Sequence, residues 1–88
     1  MMMFEVLFSK KAVAFVETLP KSNKEKLRNI VEEMKVNPFS HPYKKIRGET
    51  GLYRVRIGQF RFLFEVDETQ QKVYIIKLDT RQKAFKKI

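Results

Sequence analysis

The sequence predicts an α+β domain of order β-α-α-β-β-β, with a two-helix hairpin packed on one face of a mainly antiparallel four-stranded sheet. Three observations carry that expectation. Two stretches with apolar residues at helical spacing follow one another between residues 10 and 36. Two alternating segments, Leu52–Ile57 and Phe60–Val66, meet at Gly58-Gln59. A third extended segment, Val73-Tyr74-Ile75-Ile76-Lys77-Leu78, is apolar enough to lie in the middle of a sheet. The 88 residues read as one domain, 1–88, with no linker, internal repeat or low-complexity segment.

Taken in order, Met3–Phe8 is a short apolar run consistent with a buried strand. Ser9 offers an N-cap, and Ala12, Val13, Phe15, Val16 and Leu19 follow at helical spacing until Pro20. Ser22 and Glu25 have the spacing of a capping box for a second helix, whose apolar stripe is Leu27, Ile30, Val31 and Met34. Asn37-Pro38 stops it, because the proline ring clashes with a continuing helix. Asn37–Tyr43 reads as a loop, and Lys44 to Gly51 leads into the hairpin. The polar stretch Asp67–Lys72 is a second hairpin loop; Asp79-Thr80-Arg81 ends the last strand, and Gln82–Ile88 is a basic tail with room for one helical turn.

The hairpin is the most informative feature. Glycine at the first central position selects a two-residue type II′ turn, which fixes the register: Ile57 opposite Phe60, Arg56 opposite Arg61, Val55 opposite Phe62 and Arg54 opposite Leu63. Alternation then puts Tyr53, Val55, Ile57, Phe60, Phe62 and Phe64 on one face as core, and Arg54, Arg56 and Arg61 on the other. Directly opposed like charges cost stability, so such a face is suited to an anion. Net charge points the same way. It is +9 overall, and residues 44–88 hold twelve Lys/Arg against five Asp/Glu, the footprint of a nucleic-acid or phosphate partner.

Composition narrows the alternatives. Without cysteine and with one histidine, neither a disulfide framework nor a metal centre is expected, and no cofactor is implied. No apolar run approaches the roughly 20 residues of a membrane span, and the start Met1-Met2-Met3-Phe4 lacks signal-peptide features, so a cytoplasmic protein without a membrane partner is expected. His41, the one side chain naturally suited to proton transfer near neutrality, lies in a proline-bounded loop where a structural or exposed role is the expectation.

The chain resembles the RelE/ParE toxin superfamily, and within it the RelE-like messenger-RNA interferases of type II toxin–antitoxin systems. The resemblance spans essentially the whole sequence. It rests on the element order, Asn37-Pro38, Lys45-Ile46-Arg47-Gly48, Tyr53-Arg54-Val55-Arg56, Gly58-Gln59-Phe60-Arg61 and Asp79-Thr80-Arg81. It implies a RelE-like fold whose basic face enters the ribosomal A site and cuts messenger RNA there. In the implied reaction the ribose 2′-hydroxyl attacks the adjacent phosphate, without a metal. The catalytic positions fall on Arg54, Arg56, Arg61 and Arg81, with Lys45, Arg47 and Phe85 as RNA-binding residues. Arg54 and Arg56 stand where relatives often carry lysines, and Phe85 where they place a tyrosine; arginine stays protonated and is a poor general base. The alternative for Arg61 and Arg81 is an ordinary surface ion pair with Glu65 or Asp79. The implied partners are messenger RNA, the ribosome, and a RelB-like antitoxin, helical and wrapping, in a hetero-oligomer. Two other functions fit the same frame: a ParE-type gyrase inhibitor without RNase activity, and a non-catalytic basic nucleic-acid-binding module.

Overall fold

The computed structural model describes residues 3–48 and 51–80. Its order is β1 (Glu5–Phe8), α1 (Lys10–Glu17), α2 (Lys21–Val36), β2 (Tyr43–Lys45), β3 (Leu52–Ile57), β4 (Phe60–Asp67) and β5 (Lys72–Thr80). The sheet has five strands in the order β1-β5-β4-β3-β2; β1 runs parallel to β5 and the other pairs are antiparallel. The expectation of four strands misses β2, three exposed residues that span the end of the expected Asn37–Tyr43 loop and the start of the lead-in to the hairpin. No apolar alternation marks β2; its strand conformation comes from pairing with β3, Tyr43 to Val55 and Lys45 to Tyr53.

The core lies between the helices and one sheet face. Ala12 of α1 and Leu27, Ile30 and Met34 of α2 pack with Val55, Phe60, Phe62, Phe64, Val73, Ile75 and Leu78. No polar or charged residue is buried among the described residues. Val13, grouped by its spacing with the α1 stripe, is exposed; the stripe that packs is Ala12, Phe15, Val16 and Leu19, the i, i+3, i+4, i+7 set.

The β3–β4 register is the one the turn dictates, from Ile57–Phe60 through Arg54–Leu63. Gly58 has φ +60° and Gln59 does not share the left-handed region, the signature of a type II′ turn. Within β4–β5 the pairing slips: Leu63 pairs with Lys77, but Phe64 pairs with Ile75, leaving Ile76 as an extra residue. This bulge adjoins the start of α1. Ser9 donates its backbone N–H to the Ile75 carbonyl (2.9 Å) and its hydroxyl to the Ile76 carbonyl (2.7 Å), while its Oγ accepts from Ala12 N (3.1 Å). One serine thus caps α1, as expected, and holds the irregular part of β5.

The start of α2 departs from the capping-box expectation. Pro20 is the N-cap, in extended geometry (φ −60°, ψ 157°), with no side-chain cap bond, and its carbonyl accepts the first helical bond from Lys24 N at 3.0 Å. Ser22 therefore lies inside the first turn, where its helical backbone cannot make the cap. The other end follows the sequence. Asn37 ends α2 with its N–H on the Glu33 carbonyl (3.0 Å), and its Oδ1 accepts from Phe39 N (2.9 Å), turning the chain toward β2.

Replacing Phe64 by alanine, at a position with no solvent exposure, is expected to cost about 3–5 kcal/mol in denaturant unfolding. Ser9→Ala is expected to cost about 1 kcal/mol or somewhat more. Ser22→Ala, removing a residue of the same type that caps nothing, should stay within about 0.5 kcal/mol of the parent.

Candidate nucleic-acid interface

Because directly paired residues of adjacent strands point to the same side, register alone assigns the outer face, the one away from the helices. Arg56 faces Arg61, and Arg61 faces Asp79, forming one row across β3, β4 and β5. Beside it Lys44, Arg54, Leu63 and Lys77 form a second row across β2 to β5. The bulge decides the β5 members. Val73 and Ile75 point inward, so unbroken alternation would send Lys77 and Asp79 inward as well; the extra residue reverses the phase, buries Leu78 and turns both polar side chains outward.

Arg61 donates from Nε to Asp79 Oδ1 at 3.0 Å, with both side chains about one-third exposed (36% and 27%). Of the two carboxylates available to Arg61 in the sequence, Asp79 takes the role and Glu65 does not. The bond engages Nε alone, which leaves the terminal nitrogens of the guanidinium for another anion. Arg54 and Arg56 are exposed, and among the described residues neither they nor Lys44 and Lys77 have a side-chain hydrogen bond or ion pair. Among the described residues the two rows therefore carry one paired and four unpaired cations.

Two open clefts lie on it. A cleft of about 380 Å³ is lined by Arg54, Arg56, Arg61, Phe62, Leu63, Lys77 and Asp79. A second, of about 360 Å³, is lined by Pro42, Tyr43, Lys44, Arg54 and Arg56. Among the described residues Asp79 is the one carboxylate bordering either of them.

The structure thus brings together Arg54, Arg56 and Arg61. It does not bring Lys45 to them. Lys45 pairs with Tyr53, whose face is that of the core, so it points to the helix side, and its neighbour Lys44 occupies the outer row. Arg47 sits exposed in the turn after β2 and lines neither cleft. Arg81, Phe85 and the basic tail lie outside the described residues. His41 is paired through Nε2 with Glu33 Oε1 at 2.7 Å, tying its loop to α2, the structural of the two roles expected of it. Lys44 and Lys77 are additions the sequence reading lacks, while Leu63 and Asp79, expected only as a cross-strand neighbour of Arg54 and a possible ion-pair partner of Arg61, join the cleft. The disagreement in phase between Val73/Ile75 and Leu78 is the signal from which the two β5 residues could have been found.

Tyr43, which carries no signal in the sequence, has a packing role. Its ring lies 4.8 Å from that of Phe39 and 5.4 Å from that of Tyr53, and both of these approach Phe64. This cluster clamps the short edge strand to the inner face and so directs Lys44 outward.

The comparisons with known proteins agree with this frame. A model of the family described as the ParE toxin of type II toxin–antitoxin system, parDE, matches residues 6–85. The chain is 33% identical over 88 residues to "Putative toxin RelE1" of Methanocaldococcus jannaschii, covering 97% of this chain and 98% of the relative. Among solved structures it is similar to the archaeal RelE–RelB complex of Pyrococcus horikoshii (TM-score 0.78, 25% identity, 91% of this chain and 97% of the other). It is also similar to the toxin–antitoxin complex RelBE2 of Mycobacterium tuberculosis (TM-score 0.70, 26% identity, 90% and 99%). With the family match running across nearly the whole sequence and the relative covered end to end, the chain belongs to the RelE/ParE family of toxins of type II toxin–antitoxin systems.

Proposed function

We propose that this toxin is a ribosome-dependent endoribonuclease that cuts messenger RNA by 2′-hydroxyl attack on the scissile phosphate. The observation that carries the reading is the cleft in which Arg54, Arg56 and Arg61 converge with Lys77 and Asp79. A phosphate seated there meets the free terminal nitrogens of Arg61 and, directly across the strand pair, the Arg56 guanidinium, while Arg54 and Lys77 flank it on the next row. Fixed cations aimed at the place where charge develops stabilise a phosphorane better than a relaxed phosphate, which is what lowers the barrier.

The attack also needs a proton acceptor. Arginine does not supply one, and Asp79 does: its Oδ1 orients Arg61, and Oδ2 remains to take the 2′-hydroxyl proton. The 2′-oxygen to phosphorus bond forms as the bond to the 5′-oxygen breaks. The leaving oxygen takes its proton from water, and the resulting hydroxide is neutralised by the proton held on Asp79. Arg81, which follows the last described strand residue directly, is by the family resemblance a further cation at the phosphate.

The P. horikoshii structure is a RelE–RelB complex and the M. tuberculosis structure a toxin–antitoxin complex, RelBE2. By that likeness the partner of this chain is a RelB-like antitoxin, and its chemistry has to suit a basic face: acidic and apolar segments that order on binding. The family model's description favours a second reading, a ParE-type toxin that inhibits gyrase and leaves RNA intact.

Inducing the toxin without its partner is expected to arrest growth and to leave new 5′ ends within translated codons; altered DNA supercoiling with intact messages would decide for the ParE-type reading. Arg61→Ala is expected to lower kcat by about 10²–10³-fold on translating ribosomes. Combined with Arg81→Ala it should abolish the arrest, and arrest at the wild-type level would remove both arginines from the site.

Asp79→Asn keeps an oxygen for Arg61 Nε but loses the basic carboxylate. It is expected to lower kcat with little change in KM, whereas Asp79→Ala should impair both. Wild-type kcat in Asp79→Asn would limit Asp79 to holding Arg61.

A further inference from the structure

We infer that the outer side of the β2–β3 edge is a second phosphate subsite, in which Lys44, Arg54 and Arg56 hold the RNA backbone next to the cleaved linkage. This rests on the RNase reading and extends it to substrate that the reacting cleft does not itself contain. The two clefts are separate hollows with a common wall, since Arg54 and Arg56 line both. A strand leaving the Arg61 cleft across that wall therefore comes next to Lys44, which pairs with Arg54. Neighbouring strands are about 4.8 Å apart, so β2 lies roughly 10 Å from β4. That is a distance to a neighbouring backbone position, well short of a second site on a remote surface.

The chemistry of the outer cleft differs from that of the first in one respect. Among the described residues its lining has three cations and no carboxylate, and none of the three is paired. The first cleft has Asp79 and with it a means of moving a proton. The outer cleft has only charge, so it can hold a phosphodiester and cannot cut one.

It is also preformed. The Tyr43 ring is fixed on the inner face by Phe39 and Tyr53, so the strand cannot roll to turn Lys44 away. Pro42 adds a surface without a backbone N–H and with its φ restricted. Single-stranded RNA, whose phosphates recur along a flexible chain, suits a line of cations continuing from the reacting cleft.

The test is cleavage on programmed ribosomes by the wild type, Lys44→Ala, Lys44→Arg and Lys26→Ala, across a salt series. Lys26 lies exposed on α2 and controls for net charge. Lys44→Ala is expected to raise KM several-fold at unchanged kcat and to flatten the dependence of log KM on log salt by about 0.7, the loss of one single-strand phosphate contact. Lys44→Arg should restore both and Lys26→Ala should alter neither. If the wild type cleaves and Lys44→Ala matches it in KM and salt slope, the subsite is wrong and the RNase reading stands. If the wild type does not cleave, both fall. If Lys44→Ala weakens antitoxin binding alone, the surface belongs to the protein partner and the inference is overturned.

Discussion

Phe60, Phe62 and Phe64 are each almost wholly removed from water, and because successive side chains of a strand alternate faces, their burial leaves Arg61 and Leu63 no direction but outward. The two-residue turn at Gly58 carries the constraint to β3, where Val55 is buried and Arg54 and Arg56 are turned to the same outer side. The magnitudes show why the arrangement persists. Burying one phenylalanine side chain contributes roughly 2–3 kcal/mol, whereas like charges facing each other across a strand pair cost on the order of 0.2–1 kcal/mol. Packing on the inner face therefore sets the spacing of the guanidinium groups outside, with no ligand needed to gather them. A phosphate that arrives meets cations already in place, which is the condition under which electrostatic stabilisation costs no reorganisation.

β5 needs one correction to join this scheme, and the bulge at Ile76 supplies it. Without it the strand would aim Lys77 and Asp79 at a core that holds no other charge, a cost that burial of neighbouring apolar groups would not offset. With it, Leu78 is buried and Asp79 reaches Arg61. Ser9 is the point where this adjustment is fixed, since the same side chain caps α1 and bonds the Ile76 carbonyl. Helix start, strand irregularity and placement of the Asp79 carboxylate are thereby coupled through a single residue far from the arginines in sequence.

What the sequence disclosed and what it hid follow one physical division. Where burial alternates regularly, as in Leu52–Val66, faces and register could be read in advance, because a one-residue slip would have exposed four aromatic or apolar side chains together. Where structure depends on a remote partner, it could not. Tyr43–Lys45 has no buried residue, so neither its strand nor the outward direction of Lys44 is visible until Tyr43 is seen against Phe39 and Tyr53. The family resemblance implies an RNA contact for Lys45, whereas its pairing with Tyr53 sets it on the other face. The false capping box at Ser22 is of the same kind, for it is Pro20 that takes the extended geometry an N-cap requires.

The composition of the outer face also bears on how such a site can work. Arginines stand at 54, 56 and 61, and the planar, weakly hydrated guanidinium tolerates crowding and binds phosphate through paired donors better than an ammonium does. The same choice removes the proton acceptor that a lysine able to lose its proton would offer. A cleft built from arginine must take its base from elsewhere, and the residue within reach is the one that orients Arg61. On the proposed reading, one carboxylate among these cations has two tasks on its two oxygens: the oxygen bonded to Nε aligns the cation, and the other would serve the ribose. In such an arrangement, charge stabilisation and proton transfer are not separable by removing the whole side chain. They separate only when the amide replaces the acid and leaves the alignment in place.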